Sequence, residues 1–275
     1  IVKTLKKIRG EFGHLIITDI GVNEPLIDNI VTTLRRLKQK GWKITWIDHH
    51  TWSQNAIKKI GETINEILIG KANAACELVA DYLSLNDEVS KKLVEIGVDA
   101  DTANYELEES KYLDPIVKKE KLALKLIDQL SKGIIYQSNL YLEGKRRYEK
   151  FRLTIDKLLT KRVRIERTMK GRKFAIIDLR HKKTLKSQFN MYVVRKLKVD
   201  FIAVIHSCNS LGLYAGIDKS VNLLPIALKN GGGGHPFACG FEVRVPIFKR
   251  ILCTIFPKYL PRELREQIEE IKRLY

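Results

Sequence analysis

Short apolar runs that end at a single acid, separated by stretches of helical period, constrain this chain most. Residues 14–20 (HLIITDI) and 42–47 (WKITWI) are two such runs; Asp19 lies at the end of the first and Asp48 directly follows the second. A run that is apolar on both alternating faces suits a strand covered on both sides, the usual state of a parallel strand. Between them, residues 25–39 carry Leu26, Ile30, Leu34 and Leu37 at helical spacing, and Gly41 stops the pattern. Strands that alternate with helices predict a parallel α/β sheet. Ligands of such sheets bind beyond the carboxyl ends of the strands. Asp19 and Asp48 both stand at such ends.

The same reading extends along the chain. Residues 1–9 read as a helix broken by Gly10 and Gly13. Residues 73–85 read as a helix with Ala75, Leu78, Val79 and Tyr82 inward. A second covers 88–96, and 97–101 (GVDAD) reads as a turn after it. Residues 115–130 and 141–159 read as two bridging helices. A second α/β unit then begins, with strands at 174–179 (FAIIDL) and 201–206 (FIAVIH) and a helix at 185–197 between them. A short helix at 221–228 runs into four glycines, a strand follows at 241–245, and helical text at 246–256 and 261–274 closes the chain. The expected division is residues 1–114, a bridge at 115–168, and a smaller α/β domain at 169–275. No internal repeat or low-complexity linker interrupts it.

A chain of 275 residues is long enough to bury a full core without a metal or disulfide staple. Its four cysteines, Cys76, Cys208, Cys239 and Cys253, are scattered with no CxxC pair. Neither a zinc ribbon nor a disulfide framework is expected, and a reducing, cytoplasmic compartment fits best. No run of 18 apolar residues occurs, so no membrane span is expected. The chain begins at Ile1 without a signal peptide, and its natural start is expected upstream.

Charge is distributed unevenly. The net charge is +18, and residues 145–198 hold 20 Lys/Arg against 4 Asp/Glu. Concentrated positive charge points to a polyanion, with Lys145, Arg146, Arg147, Lys150 and Arg152 as candidate nucleic-acid backbone contacts. The competing reading is a solvated helix face.

Two constellations carry chemistry. Asp48-His49-His50 follows a strand, and imidazole with carboxylate suits borderline divalent metals. Adjacent histidines point in different directions, so one can ligate while the other meets substrate. Asp48 can hold the tautomer of a ligating histidine. Asp19 and Asp101 add acids; their alternatives are a helix cap and a turn. The second constellation is 231–240 (GGGGHPFACG). Successive glycine N–H groups can form an anion-binding nest, and His235 adds a donor. The alternative there is a flexible loop.

With Asp48-His49-His50 after an apolar strand, and Gly232-Gly233-Gly234-His235 before Ala238-Cys239-Gly240, the chain resembles the DHH phosphoesterase superfamily with its C-terminal DHHA1 domain. Ala75-Cys76-Glu77-Leu78-Val79 is similar to that family's helix after the DHH loop. Val98-Asp99-Ala100-Asp101-Thr102 and Ile17-Thr18-Asp19 are similar to two of its metal motifs. The resemblance implies a parallel-sheet DHH domain, a helical bridge, a DHHA1 domain and an active site in the cleft between domains. It implies an archaeal RecJ-like exonuclease that hydrolyses single-stranded DNA or RNA in repair or replication. Asp19, His49 and Asp101 would bind one or two Mn2+ or Mg2+ ions, and Asp48, His49 and His50 would form the catalytic set. Gly232, Gly233, Gly234 and His235 would grip phosphate, and a helicase would be a plausible partner. The family's first motif, an Asp-x-Asp-Gly-type loop, has no counterpart in residues 1–15. That gap leaves an inactive replication scaffold as one alternative to the exonuclease; a nanoRNase or cyclic-dinucleotide phosphodiesterase is the other.

Overall fold

In this computed structural model the chain is described at residues 1–136, 138–180, 186–217 and 219–275, without the side chains of Lys186 and Ser187. It divides into two units, Ile1–Thr102 and Ala103–Tyr275. The chain is mixed α/β.

The first unit runs α1 (Val2–Leu5), β1 (Gly13–Thr18), α2 (Ile27–Gln39), β2 (Trp42–Asp48), α3 (Gln54–Gly61), β3 (Glu66–Ile69), α4 (Ala75–Tyr82) and α5 (Glu88–Asp101). Its three strands are parallel in the order β1-β2-β3, with Thr18 opposite Ile47 and Asp48 opposite Ile69. The expected alternation is therefore observed, and β2 is central. Ile44, Trp46 and Ile47 of β2 are fully buried, as are Leu34 and Leu37 of α2. Ile27, not Leu26, completes that helix face, because a 3-10 turn over Glu24–Leu26 rotates Leu26 outward. The turn expected at 97–101 is the last part of α5 instead. Gly97 permits this: a Cβ there would stand 2.7 Å from Cys76 Sγ on the neighbouring helix α4.

The second unit runs α6 (Glu108–Val117), α7 (Glu120–Leu130), α8 (Asn139–Arg162), β4 (Val163–Arg167), β5 (Lys173–Asp178), α9 (Lys186–Leu197), β6 (Phe201–Ser207), β7 (Ser210–Ala215), α10 (Leu224–Lys229), β8 (Gly233–His235), β9 (Ala238–Glu242), α11 (Ile247–Ile255) and α12 (Arg262–Leu274). The single helix expected at 115–130 is two, with Lys119 in extended conformation between them. The start expected for α9, at Leu185, lies outside the described residues. Among the described residues six strands take the order β4-β5-β6-β7-β9-β8, and only β5 and β6 pair in parallel. Two cores form on this sheet. Phe174, Phe201 and Leu213 face α12, through Leu264, Ile268 and Ile271, while Ile177, Ile202 and Val204 face Phe151 and Ile155 of α8 and Phe189 of α9.

One cysteine expectation is overturned. Cys208, just after β6, and Cys253, in α11, form a disulfide with their Cα atoms 5.9 Å apart. A pair 45 residues apart has no spacing signature; it exists because α11 folds back onto the end of β6. Among the described residues no helix is long and apolar enough to cross a membrane.

Candidate active site

The parallel sheet delivers three side chains to one place. Asp19 follows β1, His49 follows β2, and Asp101 ends α5. His49 Nε2 lies 3.4 Å from Asp19 Oδ1 and 3.3 Å from Asp101 Oδ2. Asp19 takes a left-handed backbone, φ 57°, with its N–H bonded to the Ile47 carbonyl. That bond ties the turn after β1 to the end of β2.

Tautomers can be argued from the partners. His49 Nδ1 lies 3.4 Å from the Ala72 carbonyl, which can only accept. His49 therefore donates from Nδ1, which turns Nε2 towards the two carboxylates, either as a lone pair with a cation between them or, with a second proton, as their ion-pair partner. Electron pairs facing each other across 3.3–3.4 Å repel unless a cation stands among them. The residues thus fit a divalent ion: two carboxylate oxygens and an imidazole nitrogen are the donors that suit Mn2+, Fe2+ or Zn2+. A carboxylate oxygen of Asp19 and ring nitrogens of His49 and His50 also fall within 4.8 Å of one another.

His50 is otherwise engaged. Its Nδ1 donates to Asp48 Oδ1 at 2.8 Å, and Trp52 Nε1 donates to Asp48 Oδ2 at 2.7 Å. Asp48 is fully buried, so both its oxygens are committed inward. It holds His50, whereas the sequence reading allowed it to hold a ligating histidine. Asp48 thus lies beneath His50 with neither oxygen exposed. The hydrogen bond to Asp48 raises the pKa of His50 above its ordinary value, against the lowering effect of burial. Burial likewise raises the carboxyl of Asp101, against the pull of nearby His49.

Two supporting residues escaped the sequence reading. Trp52 locks Asp48 and packs edge-on against Trp46, ring centroids 5.1 Å apart. Gly21 lets the turn after β1 approach His50; a Cβ there would lie 3.2 Å from His50 Cβ. A Trp four residues after an acid was the available signal for the first. Nothing local marks the second. Asp101 was expected in a turn after a helix but ends that helix, since α5 continues through Gly97.

The glycine run does not form a simple nest. Gly231 N–H bonds the Leu228 carbonyl and Gly232 N–H the Ala227 carbonyl, which closes the last turn of α10. Gly233, Gly234 and His235 then form edge strand β8, paired antiparallel with β9. A Cβ at Gly232 would stand 2.1 Å from the Gly240 carbonyl oxygen, whereas one at Gly233 would meet nothing within 4 Å. His235 is exposed. A cavity of about 630 Å3 beside the hairpin is lined also by His206 and Tyr214, whose Nε2 and Oη lie 3.1 Å apart. Neither was singled out from sequence, because the two come from neighbouring antiparallel strands.

On α8 the basic residues divide. Arg146 and Arg147 share Glu143, at 3.8 and 2.7 Å, and Arg152 pairs with Glu149 at 2.8 Å. Lys145 and Lys150 are exposed with no acidic partner among the described residues. Lys145 Nζ sits 5.8 Å from the centre of the Tyr112 ring.

No protein-family model and no curated protein matches the chain. Solved structures do. A pGpG-specific phosphodiesterase, PggH, from Vibrio cholerae is similar over 90% of this chain and 98% of its own, at 13% identity and a TM-score of 0.52. An exopolyphosphatase-related protein from Bacteroides fragilis is similar over 98% and 74%, at 14% identity and a TM-score of 0.54. The DHH domain of a member of a family of ribosomal proteins is similar over 94% and 69%, at 16% identity and a TM-score of 0.57. The chain is therefore built on the fold of the DHH-domain proteins, with its own Asp48-His49-His50 at the end of the central parallel strand.

Proposed function

We propose that the chain is a metal-dependent phosphodiesterase, and that its substrate is single-stranded nucleic acid cleaved from an end. The observation that carries this reading is His49 Nε2 set against the carboxylates of Asp19 and Asp101 at 3.4 and 3.3 Å. A divalent ion held by these three residues would supply a polarised phosphoryl oxygen and an acidified water. The remaining steps belong to the chain. Asp19 and Asp101 would share the ion with His49, and the Ala72 carbonyl holds the His49 ring through Nδ1. Asp48 accepts the Nδ1 proton of His50, which leaves His50 Nε2 to the scissile phosphate. Trp52 keeps Asp48 from rotating. In the second unit the outer edge of β8 and the exposed His235 are the groups offered to a phosphate, with Gly234 and Gly233 permitting its approach. Lys145 and Lys150 on α8 are offered to the backbone of a longer strand.

A second reading has its own support. The likeness to the pGpG-specific phosphodiesterase extends over 98% of that protein. A dinucleotide substrate would need the metal cluster and the glycine hairpin but not α8. A length series separates the two. The purified chain is incubated with Mn2+ or Mg2+ and end-labelled oligonucleotides from dinucleotides upward. The strand reading predicts turnover that rises with length and stops in His49→Ala and Asp101→Ala. Turnover confined to dinucleotides would favour the second reading. Equal turnover by His49→Ala, or none by the wild-type chain with either ion, would overturn both.

A further inference from the structure

Helix α11 turns its apolar side away from the protein. Ile247, Phe248, Ile251, Leu252 and Ile255, with Phe256 at its end, are 39–70% exposed, while Cys253 on the opposite side is fully buried. A disulfide and polar bonds hold the helix from behind. Cys253 is joined to Cys208, and Arg180 donates to its sulfur at 2.9 Å. Arg180, itself buried, also donates to the carbonyls of Tyr259 and Pro257 just beyond the helix, at 2.7 and 3.0 Å. Lys249 pairs with Glu263 of α12. This inverts the ordinary amphipathic helix, whose apolar stripe faces the core. A continuous exposed apolar face of this kind marks an interaction surface.

The pattern of the face says what would cover it. Its six side chains fall in two adjacent i, i+4 rows, Ile-Ile-Ile at 247, 251 and 255 and Phe-Leu-Phe at 248, 252 and 256. Each row reads the same in both directions. A second copy laid antiparallel about a two-fold axis at Ile251 and Leu252 therefore meets like with like. Ile247 stands opposite Ile255 of the partner subunit, and Phe248 opposite Phe256 of the partner subunit. Such self-matching is what an isologous contact requires, and i±4 rows interlock when two helices cross. Size agrees. Side chains this exposed present on the order of 700 Å2, so covering the face on both copies would bury roughly 1,400 Å2, against about 1,200–2,000 Å2 for stable specific interfaces. A membrane suits the face less. A helix seated on a bilayer needs free cations beside its apolar side, and of the two in α11 Lys249 is tied to Glu263, which leaves Arg250.

We propose that the chain forms a two-fold dimer through α11, with the apolar face of one copy packed antiparallel on that of the other. The assignment stands apart from the phosphodiesterase reading, because it uses no residue of the metal cluster or the glycine hairpin. Pairing there would carry two copies of the second unit, each with its own hairpin and its own α8, into one particle.

The test is sedimentation velocity of the full chain without reductant, over a range of concentrations. A reversible monomer–dimer equilibrium is expected, with a Kd on the order of micromolar for an interface of this size. Ile251→Lys sets two like charges against each other at the axis and should weaken the dimer at least about a hundredfold. Ile251 is half-exposed, so the variant should keep the urea midpoint of the wild-type chain. A second measurement needs no loss of function. Ile251→Cys should form a covalent dimer on mild oxidation with diamide, whereas Arg250→Cys, exposed but off the face, should not. A monomer at every concentration up to about 100 μM would overturn the proposal. So would a dimer that Ile251→Lys leaves intact, or equal cross-linking at the two positions. A monomer that floats with phosphatidylserine vesicles would give the face to a membrane and overturn it as well.

Discussion

The metal cluster and the glycine hairpin are both built where a strand ends, yet by opposite means. At the cluster, side chains from three elements converge: His49 Nε2 lies 3.4 Å from Asp19 and 3.3 Å from Asp101. At the hairpin, the backbone is the reagent, and part of it is already spent on the carbonyls of Ala227 and Leu228. Side-chain chemistry announces itself in residue types. Backbone chemistry depends on which N–H groups the fold has left over, and only the pairing of α10, β8 and β9 decides that.

The largest effect is expected at the centre of the cluster. His49→Ala should lower both Mn2+ affinity and hydrolysis by more than about a hundredfold, beyond what loss of an outer partner costs. Metal titration beside a turnover assay checks it. If the hairpin were equally a metal site, His235→Ala would show the same double loss; weaker substrate binding with the ion retained is expected instead.

Next come the residues behind the cluster. Asp48→Asn should cost hydrolysis about 10–100-fold while the ion stays bound, since one amide oxygen cannot accept from both His50 and Trp52, and His49 is untouched. Trp52→Phe leaves the buried Asp48 Oδ2 without its donor and should destabilise the fold by about 1–3 kcal/mol. Urea denaturation measures the second. An unchanged midpoint would mean that water replaces the indole.

The hairpin offers a sharper contrast within itself. Gly232→Ala drives a Cβ into the Gly240 carbonyl and should cost about 1–3 kcal/mol. Gly233→Ala meets open space and should stay within about 0.5 kcal/mol. Equal stabilities would show that the close approach of Gly232 to β9 is not a constraint. Smallest is the effect on α8. Lys145→Ala and Lys150→Ala should each flatten the log–log salt dependence of single-strand affinity by about 0.7. Arg147→Ala should change it less, because Glu143 already neutralises that charge. Unaltered slopes would leave α8 a solvated surface.

The first unit was the more legible in sequence. β1 and β2 are apolar runs with acids at their ends, so both strands and the clustering of Asp19 with His49 were legible; α3 and the four-residue β3, which no acid follows, were not. Asp101 was found by motif, and its helix was read only as far as Ile96, because Gly97 serves close packing on Cys76 rather than helix termination. In the second unit the runs at β5 and β6 were visible, while β4, β7 and β8 were not. Val163–Arg167 is half charged, and Gly233–His235 has almost no side chains, so neither carries an apolar signal. The same limit hid the Cys208–Cys253 pairing, which depends on where α11 returns.

Electron spin echo spectroscopy of bound Mn2+ tests the central claim most directly, since a ligating imidazole nitrogen modulates the echo. Nitrogen modulation is expected in the wild-type chain; it should persist in His50→Ala and be lost in His49→Ala. Modulation that survives His49→Ala and disappears in His50→Ala would contradict the assignment of His49 to the ion and His50 to the phosphate.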